Sequence, residues 1–155
     1  TQDGFKVTYR VMPFALESTI YGFTQGKLDF GESIKTGSFI FITDSINEEN
    51  GFNIVGRTFA NSILILDSNS IFGQGKYRTI AHELVHVYQY ESLSGMNLFL
   101  EKPIFNLNSN KKWARFYHKI FYNDFNYLSF QVLYSLYTDH SSNFFEKEAY
   151  YYTER

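Results

Sequence analysis

The sequence predicts an α+β fold in which an N-terminal, mostly antiparallel or mixed sheet precedes a helical half. Up to about residue 70, β-branched and aromatic runs alternate with turn-forming residues, whereas from Tyr77 onward the apolar residues recur with the period of about 3.6 that is typical of helices. With 155 residues, of which 44% are hydrophobic, the chain is long enough for one domain with a sizeable core. We therefore expect a single domain over residues 1–155, with the sheet in residues 1–70 and the helices in residues 77–155.

The predicted strands come first along the chain. Residues 5–11 alternate apolar and polar side chains with the period of two of a half-buried strand, which Pro13 should end. Residues 38–43 form a β-branched and aromatic run, and residues 53–57 and 61–66 are two more candidate strands. The last of these is apolar on both faces.

Turns are predicted where glycine and polar residues cluster between these runs. The Glu-Glu-Asn-Gly segment at residues 48–51 has the composition of a turn. Turns are also predicted at four glycines, Gly22, Gly26, Gly31 and Gly37. We therefore expect the first third of the chain to consist of strands and turns.

The first two predicted helices are separated by proline and asparagine. The first helix begins near Tyr77, and Gly95 is a suitable stop for it. The second follows Pro103 and an Asn-rich turn at residues 106–110, and its apolar residues recur at helical spacing over residues 113–121.

Two further helices are predicted near the end of the sequence. The third covers residues 125–137, and the fourth begins after the candidate N-caps Ser141 and Ser142. Residues 125–137 are the most apolar long segment, yet they are interrupted by polar residues and are too short to span a bilayer of about 30 Å. We therefore expect no transmembrane segment.

Charge and composition exclude several classes of function. The 14 basic and 16 acidic side chains give a net charge of -2, so the chain has no field that would hold a polyanion, and nucleic acid is not an expected partner. The sequence contains no Cys, so any metal site must use His, Asp or Glu. Because the chain begins with Thr1, we expect a processed or trimmed product, with an exported or cell-envelope location favoured over the cytoplasm.

The strongest motif is His82-Glu83-Leu84-Val85-His86, inside the first predicted helix. It matches the His-Glu-x-x-His pattern of zinc hydrolases, and chance is a poor explanation in a chain with 4 His. Residues four apart lie one turn apart on the same helix face, so both imidazoles can reach one ion. Glu83 is rotated by one helical step, which suits a general base acting on a water at that ion.

A catalytic zinc takes three protein ligands, so a third ligand is needed downstream of the motif. Ser92 and Gln89 stand where the extended metzincin motif has His and Gly, which excludes that subclass. His118 lies in an aromatic-rich helix, where a structural role is expected. The downstream candidates are Glu91, Glu101, His118, Asp139, His140, Glu146 and Glu148.

The motif helix, followed roughly sixty residues later by Phe145-Glu146-Lys147-Glu148-Ala149-Tyr150, resembles the gluzincin type of zinc metallopeptidase. In those families a Glu on a second helix is the third ligand. The resemblance implies a zincin-like fold with one Zn²⁺ per chain, held by His82, His86 and Glu146, with Glu148 as the alternative to Glu146. Tyr150 stands where many relatives carry Asp, and Asp139 is the candidate to replace that Asp as the partner of a ligand His.

The same resemblance implies a metallopeptidase that acts on peptide or protein substrates, with Glu83 as its general base. Zincins bind an extended peptide along an edge strand ahead of the motif helix, and Asn61, Ile63 and Ile65 are the candidates, although a buried central strand fits their segment equally well. Candidate oxyanion donors are Tyr150, Tyr151, Tyr152, His118 and His140. The alternative function is a catalytically inactive zincin-fold binding or scaffold module of a larger cell-envelope protein. The sequence predicts no particular oligomeric state.

Overall fold

A computed structural model describes most of the chain. The described residues are 10–46, 55–67, 75–93, 95–108, 110–122, 125–137 and 140–153. Within them the fold is α+β with a mixed sheet, which confirms the predicted class. Most of the strand predicted at residues 5–11 and the turn predicted at residues 48–51 lie outside the described residues.

Within the described residues, four strands form the sheet in the order β1-β2-β4-β3. Their bounds are Lys27–Leu28 (β1), Phe39–Thr43 (β2), Gly56–Phe59 (β3) and Ser62–Leu66 (β4). β1 and β3 run antiparallel to their neighbours, whereas β2 and β4 are parallel. The strands predicted at residues 38–43 and 61–66 are confirmed, and the one predicted at residues 53–57 is observed further along the chain, as β3.

Seven α-helices occur in the described residues. They are α1 (Pro13–Gln25), α2 (Phe30–Thr36), α3 (Gly75–Ser92), α4 (Gly95–Asn108), α5 (Lys112–Ile120), α6 (Phe125–Ser135) and α7 (Phe144–Thr153), with a short 3₁₀ turn at His140–Ser142. α3, α5, α6 and α7 confirm the four predicted helices. Across the described part of the chain, no helix is both long and apolar enough to cross a membrane.

The prediction that the first third of the chain consists of strands and turns is wrong at α1 and α2, which are helices. Gly22 lies inside α1 and Gly31 inside α2, whereas Gly26 and Gly37 directly follow these helices as predicted turn residues should. Gly37 adopts a left-handed conformation with φ of 73°, which favours glycine at the end of a helix.

α1 is not predicted from the sequence because its small and polar residues are buried and large apolar residues are exposed. Its buried positions are Ser18 and Gly22, four residues apart, while Leu16 and Ile20 are exposed. Small residues on the inner face let the helix lie close to the sheet, where Gly22 contacts the ring of Phe41 in β2. A search for an apolar stripe cannot find a helix whose inner face is small and polar.

Gly22→Ala is expected to lower the free energy of unfolding by about 1–3 kcal/mol, although Ala favours helices more than Gly does. The reason is that a Cβ at this position would overlap the Phe41 ring. Urea denaturation measures the change. Gly95→Ala is the matched control, because a Cβ at Gly95 would meet no atom within 4 Å. Equal midpoints for the two variants would contradict this packing.

Two predicted helix boundaries also need correction. Pro103 and Asn106 lie inside α4, where the sequence predicts a break and a turn, because tertiary packing of α4 against α5 and α6 outweighs the local preference. The N-cap of α7 is Asn143 and not Ser141 or Ser142. The side-chain oxygen of Asn143 accepts a hydrogen bond of 3.0 Å from the backbone N–H of Phe145.

β4 is a central strand of the described sheet, so the buried central strand predicted as one alternative for residues 61–66 is confirmed, and the other alternative, a substrate-binding edge with Asn61, Ile63 and Ile65, is wrong. β4 lies between β2 and β3, and Ile63 and Ile65 are buried with Ile80 and Val87 of α3. The opposite face of the sheet meets α1, as Phe41 shows. Because helices cover both faces, a strand in the middle is apolar on both sides. The edge strands of the described sheet are β1 and β3, and β3 packs against α3.

Candidate metal centre

Two histidines of α3 and one glutamate of α7 meet in the interior. The Nε2 atoms of His82 and His86 are 3.3 Å apart, and each lies 3.2 Å from a carboxylate oxygen of Glu146. His86 and Glu146 are buried, and the side chain of His82 is 15% exposed. The structure therefore brings together three of the ligands that the sequence predicts, although His82 and Glu146 are 64 positions apart.

Local sequence explains how each helix presents these side chains. His82 and His86 are separated by one helical turn, so their rings lie on the same face of α3. Asn143 is the N-cap of α7, which places Glu146 in the first turn of that helix. Ala149 follows on the same face of α7 and is fully buried, and its small side chain allows α7 to lie close to α3.

Hydrogen bonds around the group hold the side chains in place. Tyr134 of α6 donates its hydroxyl to Glu146 Oε1 at 2.6 Å. His86 Nδ1 lies 2.7 Å from Oε1 of Gln89, and Gln89 Nε2 donates to the backbone oxygen of Phe145 at 2.9 Å and to Glu148 at 3.0 Å. Glu148, the alternative third ligand, therefore contacts Gln89 and is not a member of the three-residue group.

The electrostatics of the group favour a charged carboxylate. Burial acts to raise the pKa of Glu146, but its hydrogen bonds with His82, His86 and Tyr134 outweigh burial and hold this pKa well below its usual range. Burial acts in turn to lower the pKa of His86, yet the hydrogen bond to Glu146 and the neighbouring carboxylates raise it. The site thus contains an ionised carboxylate, that of Glu146, beside the ring nitrogens of His82 and His86.

Glu83 is buried beside this group and bound to the edge strand. Its Oε2 accepts a hydrogen bond of 2.6 Å from the hydroxyl of Thr58 in β3, and the same hydroxyl lies 3.0 Å from the backbone oxygen of Glu83. A Cβ at position 56 would lie only 2.8 Å from the other carboxylate oxygen of Glu83, Oε1. Glycine at this position therefore leaves room for Oε1. Burial raises the pKa of Glu83, although His86 and Thr58 oppose the shift.

Two of the predicted oxyanion donors flank the group. His140 is on the 3₁₀ turn, and its Nε2 lies 3.5 Å from Glu146 Oε2. The centroid of the Tyr150 ring lies 4.7 Å from the centroid of the His82 ring. The side chain of His140 and the residue Tyr150 are about half exposed, at 52% and 46%. Both therefore combine contact with the group and access to solvent.

Three more of the predicted candidates are described and lie outside the group. His118 is in α5, and its ring packs against the rings of Phe105 and Tyr117. Tyr151 and Tyr152 are exposed and contact each other. Asp139, the predicted partner of a ligand His, lies outside the described residues.

Three contacting residues are missing from the sequence-based prediction. Gln89 could have been found, because it lies three residues after His86 and so on the same helix face. Thr58 and Tyr134 come from β3 and α6, and no local pattern connects them to the motif. The edge strand of the described sheet beside the site is β3, whereas the sequence offers only the segment of β4 as a candidate edge.

No protein-family model, curated protein or solved structure matches this chain. The residues of the site are therefore the basis for assigning a function.

Proposed function

We propose that this protein is a zinc-dependent metallopeptidase of the gluzincin type, which hydrolyses peptide bonds in peptide or protein substrates. One Zn²⁺ per chain is held by His82, His86 and Glu146, and Glu83 is the general base. The observation that carries the proposal is the convergence of these three donor side chains beside a buried glutamate.

The donor set and its spacing both suit zinc. Two imidazoles and one carboxylate are the protein ligands of a common class of catalytic zinc site. His82 Nε2 lies 3.2 Å from Glu146 Oε2, His86 Nε2 lies 3.2 Å from Glu146 Oε1, and the two nitrogens are 3.3 Å apart. Each oxygen of the carboxylate thus faces one ring nitrogen, and one ligand atom from each residue lies within 4.8 Å of the other two. Glu146 is proposed as the third ligand in preference to Glu148 because its carboxylate alone lies at these distances.

Glu83 has the surroundings that a general base needs. Bound zinc supplies polarisation of the peptide carbonyl and acidifies water. The hydroxyl of Thr58 occupies Oε2 of Glu83. Oε1 is therefore the oxygen that would accept a proton from the attacking water and later deliver it to the leaving amine.

Neighbouring groups support a hydrolytic site. His140 and Tyr150 are proposed as candidate donors to the oxyanion that forms on the substrate carbonyl. β3 is proposed as the strand along which an extended peptide binds, because it is an edge strand joined to Glu83 through Thr58.

A scaffold module without activity would be expected to close its metal site with four protein ligands. Among the described residues, three side chains lie close enough together to share one ion. Glu83 lies beside this group, and a purely structural metal site has no use for a base next to its ligands. This feature supports the peptidase in preference to the scaffold.

Elemental analysis and a proteolysis assay on the purified chain test the proposal. We expect about one zinc per chain and cleavage of an unfolded protein substrate. A chelator should abolish cleavage, and added Zn²⁺ should restore it. No bound zinc after incubation with the metal would overturn the proposal. Bound zinc without cleavage of any member of a peptide library would favour the scaffold module.

A further inference from the structure

We propose that Gln89, held by Glu148 of α7, is a positioning residue that fixes the imidazole of His86 for metal binding. The inference rests on the proposed metal site. It assigns to an amide on the motif helix the role that the gluzincin resemblance gives to an Asp, and it gives Glu148 a function other than direct ligation.

The partners of Gln89 determine which way its amide faces. Its nitrogen end lies 2.9 Å from the backbone oxygen of Phe145 and 3.0 Å from a carboxylate oxygen of Glu148. A backbone carbonyl only accepts hydrogen bonds, so the NH₂ group must face the oxygen of Phe145. The amide oxygen therefore faces His86, 2.7 Å from Nδ1.

This orientation selects the tautomer of His86. An amide oxygen only accepts hydrogen bonds, so Nδ1 must carry a hydrogen to donate to it. In the neutral imidazole the lone pair is then on Nε2, which is the nitrogen that faces His82 and Glu146. A ligand histidine whose other nitrogen donates to a fixed acceptor is held in both tautomer and ring orientation.

The network also ties the two ligand-bearing helices together. Gln89 is buried on α3, and both acceptors of its NH₂ group belong to α7, which supplies Glu146. The same contact that orients His86 thus fixes α7 at the position where Glu146 reaches the histidines. Loss of either function would weaken metal binding without removing a ligand.

Replacing Gln89 with an apolar residue of similar length tests the role directly. Gln89→Met is expected to weaken Zn²⁺ binding about 10–100-fold, measured by competition with a chromophoric chelator. Glu148→Ala should cause a smaller loss, because the Phe145 oxygen still holds the amide. Glu91→Ala is the matched control, since Glu91 is an exposed carboxylate on the same helix.

A reciprocal exchange separates positioning from general packing. Gln89→Glu alone should weaken Zn²⁺ binding, because a carboxylate would face the Glu148 carboxylate and the Phe145 oxygen. Adding Glu148→Gln supplies an NH₂ donor from the other side and should recover at least part of the loss. The visible spectrum of the Co²⁺-substituted protein should change in Gln89→Met and return toward that of the wild type in the double variant.

Each outcome distinguishes the inference from the function on which it rests. A wild-type chain that binds no zinc overturns the metal site itself. If the wild type binds zinc and both substitutions at Gln89 leave its affinity and the Co²⁺ spectrum unchanged, the positioning role alone is overturned. If Gln89→Met fails to fold, the comparison of Gln89→Glu with and without Glu148→Gln decides: recovery supports the role, and no recovery overturns it.

Discussion

Glu83→Gln is expected to retain zinc and to lose at least about a hundredfold in peptide hydrolysis, because the amide cannot accept the proton that a general base must take. The substitution preserves size, and the amide oxygen can still accept the hydrogen bond from Thr58. Glu83 is not among the three clustered donors, so the metal should remain at one per chain. Elemental analysis and the initial rate of peptide cleavage measure the two properties on the same preparation.

The matched control for this variant is Glu91→Gln, which changes an exposed carboxylate on the same helix and should leave the rate unchanged. A Glu83→Gln protein that hydrolyses peptides at nearly the wild-type rate would refute the role of Glu83 as base. A variant that loses zinc would instead make Glu83 a ligand.

Glu146→Ala is expected to abolish both zinc retention and hydrolysis, since it removes the carboxylate that contacts both histidines. Glu148→Ala should still contain close to one zinc per chain when zinc is supplied in excess, because Glu148 contacts Gln89 and not the histidines. Elemental analysis after dialysis against buffer with excess zinc, followed by removal of free metal, compares the two variants. The opposite pattern would identify Glu148 as the third ligand.

The core of the candidate site follows from local sequence, and its surroundings do not. His82, Glu83 and His86 lie on one helix, where spacing in the sequence fixes spacing in space. Glu146 comes from a distant helix, so only resemblance to a family could suggest it. The contact of Thr58 with Glu83 depends on how the sheet packs against α3, which no spacing in the sequence encodes.

The fold shows the same division between local and tertiary causes. β2 and β4 are predictable because β-branched and aromatic runs are themselves strand-forming. The position of β4 within the sheet is a different matter, since apolar residues on both faces reveal burial but not which strands lie on either side. α1 was not predicted because Ser18 and Gly22, its inner residues, carry no apolar signal.

The separation of 64 positions between His82 and Glu146 also sets the order in which the site can form during synthesis. Ribosomes add about 5–20 residues per second, so His82 precedes Glu146 by roughly 3 to 13 s. During that interval a growing chain carries both histidines and Glu83 but has no completed site. The proposed peptidase would therefore be inactive toward neighbouring nascent chains until α7 has been made and has docked against α3.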